Sequence, residues 1–242
     1  MGVTDTDPAG TDVVVLAGGT GGAKLARGMA DAVGSERLAV ITNTGDDIEI
    51  YGAHVSPDPD LVSFWLADAI DERGWGLRDD TFAVMDALRA LGVDVWFNLG
   101  DRDLAWCMER ARMLAEGLTP TAALARLNEA IGVRARVLPM SDDPVRTWVR
   151  TAPAGWCGFQ EFMIRLRAAG LVEGLEYRGA EQASASRRGR AHASGPDRRS
   201  SAAPAREARA PPRARRGIRS AALRRRVARR GAGTPRGRGR RG

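Results

Sequence analysis

The sequence predicts an α/β fold, a parallel sheet with helices on both faces. Three observations carry this. Asp12 to Ala17 is a short β-branched run that stops at Gly18-Gly19-Thr20-Gly21-Gly22, and from Ala23 onward Leu25, Met29, Ala32 and Val33 recur at helical spacing. Leu38 to Thr42 is a second apolar run, so the chain opens strand, helix, strand, the unit from which parallel sheets are built. Strand candidates then end repeatedly in loops of Gly, Asp, Asn or Ser, around Thr20, Asp46, Asp101 and Asp142. In open α/β sheets ligands bind outside the carboxyl ends of the strands, so these loops are expected to converge on one cleft.

The remaining elements follow in order. Ile48 to Val55 reads as extended and is broken by Ser56-Pro57-Asp58; Leu61 to Ile70 reads as a helix. Asp80-Thr81 is suited to capping another helix that runs to Leu91 and stops at Gly92. Val93 to Leu99 is expected as a third strand, ending in Gly100-Asp101-Arg102-Asp103 ahead of a helix to Ala115. Thr119-Pro120 opens the next helix, to Ile131, and Val133 to Leu138 is strand-like before Pro139. Thr147 to Thr151 and Gly155 to Arg165 read as extended or mixed.

Charge divides the chain. The formal net charge of +7 suggests a nucleic-acid binder, but residues 181–242 hold 20 arginines against three acids, whereas acids outnumber bases 27 to 17 before them. An acidic body and a basic tail are therefore separate objects. Cys107 and Cys157 lack CxxC spacing and read as buried free thiols of a reducing compartment. With no basic, apolar leader and no long apolar run, the expectation is a cytoplasmic protein without membrane contact.

Gly18 to Lys24 (GGTGGAK) suits a phosphate: glycines allow backbone N–H groups to approach an anion, the helix N-terminus adds partial positive charge, and Lys24 or Arg27 adds a full one. It fits neither the Walker A pattern nor G-x-G-x-x-G. Asn43 to Asp47 (NTGDD) and Ser56 to Asp60 (SPDPD) bring four carboxylates into nearby loops. Oxygen ligands of this kind suit Mg²⁺, although aspartates are also common in turns and caps. Asp101-Arg102-Asp103 reads either as an oriented arginine for phosphate contact or as a structural Arg–Asp network; Asp142-Asp143 reads as a turn, an N-cap or a supporting group. His54 reads as structural, and the six tryptophans as core or pocket wall.

Taken in order, VVVLAGGTGGAKLARG, NTGDD, SPDPD, RGWGLRDDTF (Arg73 to Phe82), NLGDRDLA, LPMSDDPVRT (Leu138 to Thr147) and GFQEF (Gly158 to Phe162) resemble the 2-phospho-L-lactate transferase family of coenzyme F-420 biosynthesis, from Val13 to about Ser186. The resemblance implies a Rossmann-like fold and a Mg²⁺-dependent transfer of a phospholactyl or phosphoenolpyruvyl group. The donor would be a diphosphoguanosine-linked acid, the acceptor the ribitol hydroxyl of a deazaflavin precursor, and the leaving group GMP. It further implies that Gly18, Gly19, Thr20, Gly21 and Gly22, with Lys24, face the donor's phosphates, and that Asp47 and Asp60 bind the metal and the attacking hydroxyl. Asn43, Asn98, Asp101 and Arg102 complete the implied substrate-binding set, and the family suggests a homodimer. The family usually has an aliphatic residue at Pro59 and a Thr-His pair at Trp106-Cys107, so the metal loop and pocket wall are expected to differ here.

Residues 1–186 thus read as a Rossmann-like transferase domain that is C-terminally incomplete, and residues 187–242 as a disordered Arg/Ala/Gly/Pro-rich tail. The tail reads either as an arm that binds phosphate polymers or as a reading-frame error in a GC-rich gene. Its abrupt start in mid-resemblance favours the error. The alternatives to an active transferase are a nucleotide-binding regulatory module without catalysis and nucleic-acid binding through the tail.

Overall fold

The computed structural model describes residues 11–152 and 154–186, all within the first of the chain's two units, residues 1–198. The tail expected over residues 187–242 lies outside the described residues. The parallel sheet is present: β1 (Val13–Ala17), β2 (Leu38–Thr42) and β5 (Arg136–Pro139) lie side by side in that order. Between β1 and β2 runs α1 (Gly19–Val33). From β2 to β5 the chain passes through the hairpin of β3 (Ile48–Ile50) and β4 (Ala53–Val55), then α2 (Pro57–Leu66), α3 (Ala83–Ala90), α4 (Asp101–Ala115) and α5 (Pro120–Ala130).

One pleat of the sheet, Val15, Ala17, Leu38, Val40 and Val137, packs on Ala23, Ala26 and Ala30 of α1, Val62 of α2 and Leu124 of α5. The alanine stripe lets α1 lie close to the strands. At Gly22 a Cβ would meet the Ala17 Cα at 2.8 Å, so the approach requires glycine. On the other pleat of β1, Val14 and Leu16 remain 38 % and 77 % exposed. A second core gathers Phe64, Met85, Leu99, Leu104, Trp106, Cys107 and Met113 beneath the β3–β4 hairpin. Phe64 and Trp106 meet there edge to face at 5.3 Å. Both cysteines are buried and free, as expected. Among the described residues no helix is long and apolar enough to cross a membrane.

Several expectations change. Val93 to Leu99 forms no strand; Phe97 and Leu99 are buried in the second core, and the Phe97 N–H is satisfied by the Tyr51 hydroxyl at 3.2 Å rather than by a ladder. Apolar spacing there reflects core contact, and the sheet takes its third strand from β5. Most of the glycine run is already helical, since α1 starts at Gly19. SPDPD is likewise not a loop: Ser56 occupies the N-cap position of α2, Pro57 is its first residue, and Asp58 and Asp60 lie in its first turn, where the helix dipole favours acids. That helix ends at Leu66, before Asp68 adopts a positive φ. A further antiparallel sheet, ordered β7-β6-β8, is formed by β6 (Arg146–Thr151), β7 (Gly155–Gly158) and β8 (Val172–Arg178). The sequence gives no sign of β8, whose residues are mostly exposed and include Gly174.

Candidate functional site

Asn43, just past β2, is the hub of the site. Its Nδ2 donates to Asp46 Oδ1 and to Asp58 Oδ2, both at 3.0 Å, and its Oδ1 accepts the Gly45 N–H at 2.9 Å. Asp58 in turn accepts the Gly19 N–H at 2.6 Å, which ties the first turn of α2 to the start of α1. Asp46 receives a second bond from Gln160 Nε2 at 3.1 Å, so the GFQEF segment closes on the NTGDD loop. Burial, with Asp58 and Asp47 nearby, raises Asp46 to about 7, and burial raises Asp58 in the same direction. Three carboxylates are thus packed beside a helix N-terminus.

Asp47 is held from the other side. Ser56 Oγ donates to its Oδ1 at 2.6 Å, and His54 Nε2 lies 3.3 Å from its Oδ2, while His54 Nδ1 contacts Glu49. Burial works against a charged His54, but its hydrogen bonds to Asp47 and Glu49 outweigh that and raise it to about 9. His54, read as structural, is thus clamped between two acids that favour its charged form. Asp60 is held by Arg110, whose two terminal nitrogens reach both carboxylate oxygens, and by Trp106 Nε1 at 2.7 Å. Arg110 Nη1 also donates to the His54 carbonyl at 3.0 Å, which links the Asp47 and Asp60 groups. Sequence reading missed Arg110. Its signal was spacing: Asp103, Cys107 and Arg110 share one face of α4, and an arginine there interrupts a buried stripe.

Asp60, Asp103 and Cys107 bring their potential ligand atoms within 4.8 Å of one another. Burial and the charges of Asp60 and Asp80 raise Asp103 to about 7, whereas burial holds the Cys107 thiol well above its ordinary range. The group is compatible with a divalent cation. The two carboxylates fit a hard ion; the protonated thiol does not.

Three larger cavities lie among the described residues of this region, two of them lined by members of the carboxylate groups. One of about 440 Å³ lies beside the start of α1 and is lined by Thr20, Lys24, Arg73 and Arg78 among others. Arg73 and Arg78 were not anticipated. Both belong to the RGWGLRDD turn, where Arg73 bonds Asp71 at 2.5 Å and lies 4.3 Å over the Trp75 ring. A second cavity, of about 160 Å³, is lined by Asp58, Asp60, Trp75, Phe97, Asn98 and Asp103. The third, of about 310 Å³, lies against Asp46 and Asp47.

Asp101 and Arg102 line none of the three. Asp101 accepts the Ala83 and Val84 N–H groups and the Thr81 hydroxyl, so it caps α3. Asp80, expected to cap α3, accepts instead from Arg102 N and Asp103 N and caps α4. Arg102 Nη1 reaches the Arg78 carbonyl at 3.1 Å, and Asn98 accepts from Arg89 at 2.6 Å. Asp142 accepts the Thr121 N–H at the start of α5, and Asp143 holds Ser184, so these bonds are those of the cap and turn reading.

Residues 13–222 match the family described as 2-phospho-L-lactate transferase CofD. The chain is 38 % identical to a 2-phospho-L-lactate transferase of Methanosarcina mazei, over 72 % of this chain and 57 % of that protein. It is 43 % identical to a phosphoenolpyruvate transferase of Streptomyces griseus, over 71 % and 55 %. A crystal structure of a Bacillus halodurans protein aligns with a TM-score of 0.45 and 17 % identity, over 73 % of this chain and 53 % of that chain. The chain spans about half the length of the curated relatives it matches. From the glycine-opened helix α1 to the GFQEF segment that closes on Asp46, the chain belongs to the 2-phospho-L-lactate transferase CofD family.

Proposed function

We propose that this chain carries the metal and acceptor part of a transferase of coenzyme F-420 biosynthesis. A ribityl hydroxyl of a deazaflavin precursor attacks the phosphorus that bears the lactyl or enolpyruvyl group of a diphosphoguanosine donor. The new P–O bond forms, the phosphoanhydride bond breaks, GMP leaves, and the hydroxyl proton passes to a carboxylate of the cluster.

The observation that carries this reading is the Gly19–Asp58–Asn43–Asp46 chain of hydrogen bonds, which joins the start of the glycine helix to the buried acids. Phosphoryl-type transfer asks little covalent chemistry of a protein; positioning and charge neutralisation suffice. The Lys24, Arg73 and Arg78 cavity beside the N-terminus of α1 suits the donor's phosphates. Asp60, with Asp103 beside it, would hold the Mg²⁺, while Asp47, held by Ser56 and His54, is outside that group. That ion, when bound, supplies charge neutralisation at the transferring group. Arg110, Trp106, Ser56 and His54 fix the carboxylates so that they present themselves without swinging.

The test is GMP release from the donor in the presence of Mg²⁺, with and without the deazaflavin. Release that requires the acceptor supports the transferase. Nucleotide binding with no acceptor-dependent release points to a binding module instead.

A further inference from the structure

Residues 69–78 form a tight turn with a fixed base and an exposed tip. At the base Ile70 and Leu77 bridge each other and are buried in the second core, and the Arg78 N–H donates to the Ala69 carbonyl at 2.9 Å. Nearer the tip the Asp71 N–H donates to the Gly76 carbonyl at 3.0 Å and the Gly74 N–H to the Asp71 carbonyl at 2.9 Å. Gly74 and Gly76, both at positive φ, turn the chain on either side of Trp75. The tip belongs to two cavities. Arg73 and Gly74 line the one of about 440 Å³ beside α1, whereas Trp75 and Gly76 line the one of about 160 Å³ that contains Asp60 and Asp103. Arg73 joins the two sides. Its Nε donates to Asp71 at 2.5 Å and its guanidinium lies 4.3 Å over the Trp75 ring. Among the described residues its two terminal nitrogens have no hydrogen-bond partner.

We propose that Arg73 and Trp75 are positioning residues that couple the two cavities, so that a diphosphate held beside α1 tightens binding of the acceptor at the carboxylates, and the reverse. The inference rests on the transferase reading and adds to it a linkage between the two substrates. The α1 cavity carries Lys24, Arg73 and Arg78 against Asp71 and Glu72, and Asp71 is already engaged by Arg73. An anion is therefore drawn to the open edge of the guanidinium. The smaller cavity falls short of the about 300 Å³ of a whole-ligand pocket, and it takes the reacting end of the acceptor, beside Asp60 and Asp103. Trp75 is 47 % exposed and the Arg73 side chain is exposed too, so both keep rotamer freedom that a ligand must remove. A phosphate on the terminal nitrogens, with Asp71 on Nε, fixes the guanidinium plane, and that plane fixes the indole stacked on it. The second ligand then meets a ring already in place and a smaller ordering cost. Linkage makes the effect reciprocal. The other tie between the cavities, the Gly19–Asp58 bond, joins backbone to a buried side chain and has no such freedom.

Calorimetric titration of the full-length chain measures the coupling. The dissociation constant of the deazaflavin ribityl precursor is determined alone and at saturating GDP. In the parent, GDP is expected to tighten it by about fivefold or more, the lower end of ordinary coupling between sites. Trp75→Ala is expected to bring that ratio to about one, while GDP alone binds as in the parent, because Trp75 lines only the second cavity. Trp75→Phe keeps an aromatic face and restores part of the ratio. Arg73→Lys keeps the charge but has no planar group to hold phosphate and indole at once, and it does not restore the ratio. Both of these changes are at exposed positions and decide the matter if the alanine variant fails to fold. A merely structural role for the tip would alter the affinities and leave their ratio alone. A parent whose two constants are equal, or a Trp75→Ala or Arg73→Lys chain that keeps the parent's ratio, overturns the coupling and leaves the transferase reading standing. A parent that binds no deazaflavin precursor, with or without GDP, overturns the transferase reading and this inference with it.

Discussion

Arg110 grips Asp60 with both terminal nitrogens, and the two residues are only 3 % and 4 % exposed. Removing one member of such a pair strands a buried charge. Arg110→Ala is therefore expected to lower stability by about 3–5 kcal/mol. The double change Arg110→Met with Asp60→Leu should recover most of that loss, because a buried ion pair adds little over a packed apolar pair of similar volume. Urea unfolding of the three proteins measures both effects. A double variant that regained stability and also retained transfer would contradict a role for Asp60 in the chemistry.

Asp80 and Asp101 exchange helices: each caps the one that the other's neighbours begin. Asp101→Ala and Asp80→Ala are each expected to cost about 1 kcal/mol, read as a lower thermal midpoint. At Asp101 any loss of turnover should track that loss of folded protein, with KM for both substrates unchanged. A raised KM without destabilisation would place Asp101 in the substrate site after all.

The cavity at the start of α1 predicts a salt-dependent donor site. Lys24→Ala and Arg78→Ala should each weaken GDP binding, with a shallower dependence on salt than the parent, since each removes one phosphate-facing charge. Calorimetric titration at two ionic strengths checks this. Deazaflavin binding should stay as it is in both variants.

His54 is raised to about 9 from an ordinary value of 6.5, so its ion pairs stabilise the fold fully below pH 6.5, and that stabilisation is lost as pH rises through about 9. Asp46 and Asp103 are raised to about 7, and their destabilising charge is already in place above that point. Between pH 7 and 9, then, His54 governs the slope. Stability is expected to fall there by roughly 2–3 kcal/mol, and His54→Gln should flatten the fall. Denaturant midpoints across that range measure it; an equal slope in the variant would remove His54 from the account.

Much of the site was legible in sequence because its residues are local. The opening strand, glycine helix and second strand follow from spacing within about thirty residues, and NTGDD and SPDPD flank one short hairpin. What escaped depends on residues far apart. Asp58 was read as one carboxylate among four, yet its bond to Gly19 spans 39 positions. Gln160 reaches Asp46 across 114 positions, and Arg110 reaches Asp60 across 50. Val93 to Leu99 misled because apolar residues buried in a helical core have the same composition as a strand. The reciprocal caps misled for the opposite reason: an aspartate before a helix is a good cap, but the sequence does not say which helix it serves.

The measurement closest to the central claim is the rate of acceptor-dependent GMP release by the 242-residue chain and by Asp60→Ala, with Mg²⁺ titrated in each. The account predicts release that rises with Mg²⁺ in the parent and is absent in Asp60→Ala at every concentration. Near-parental release by Asp60→Ala, or release indifferent to the acceptor, would contradict it.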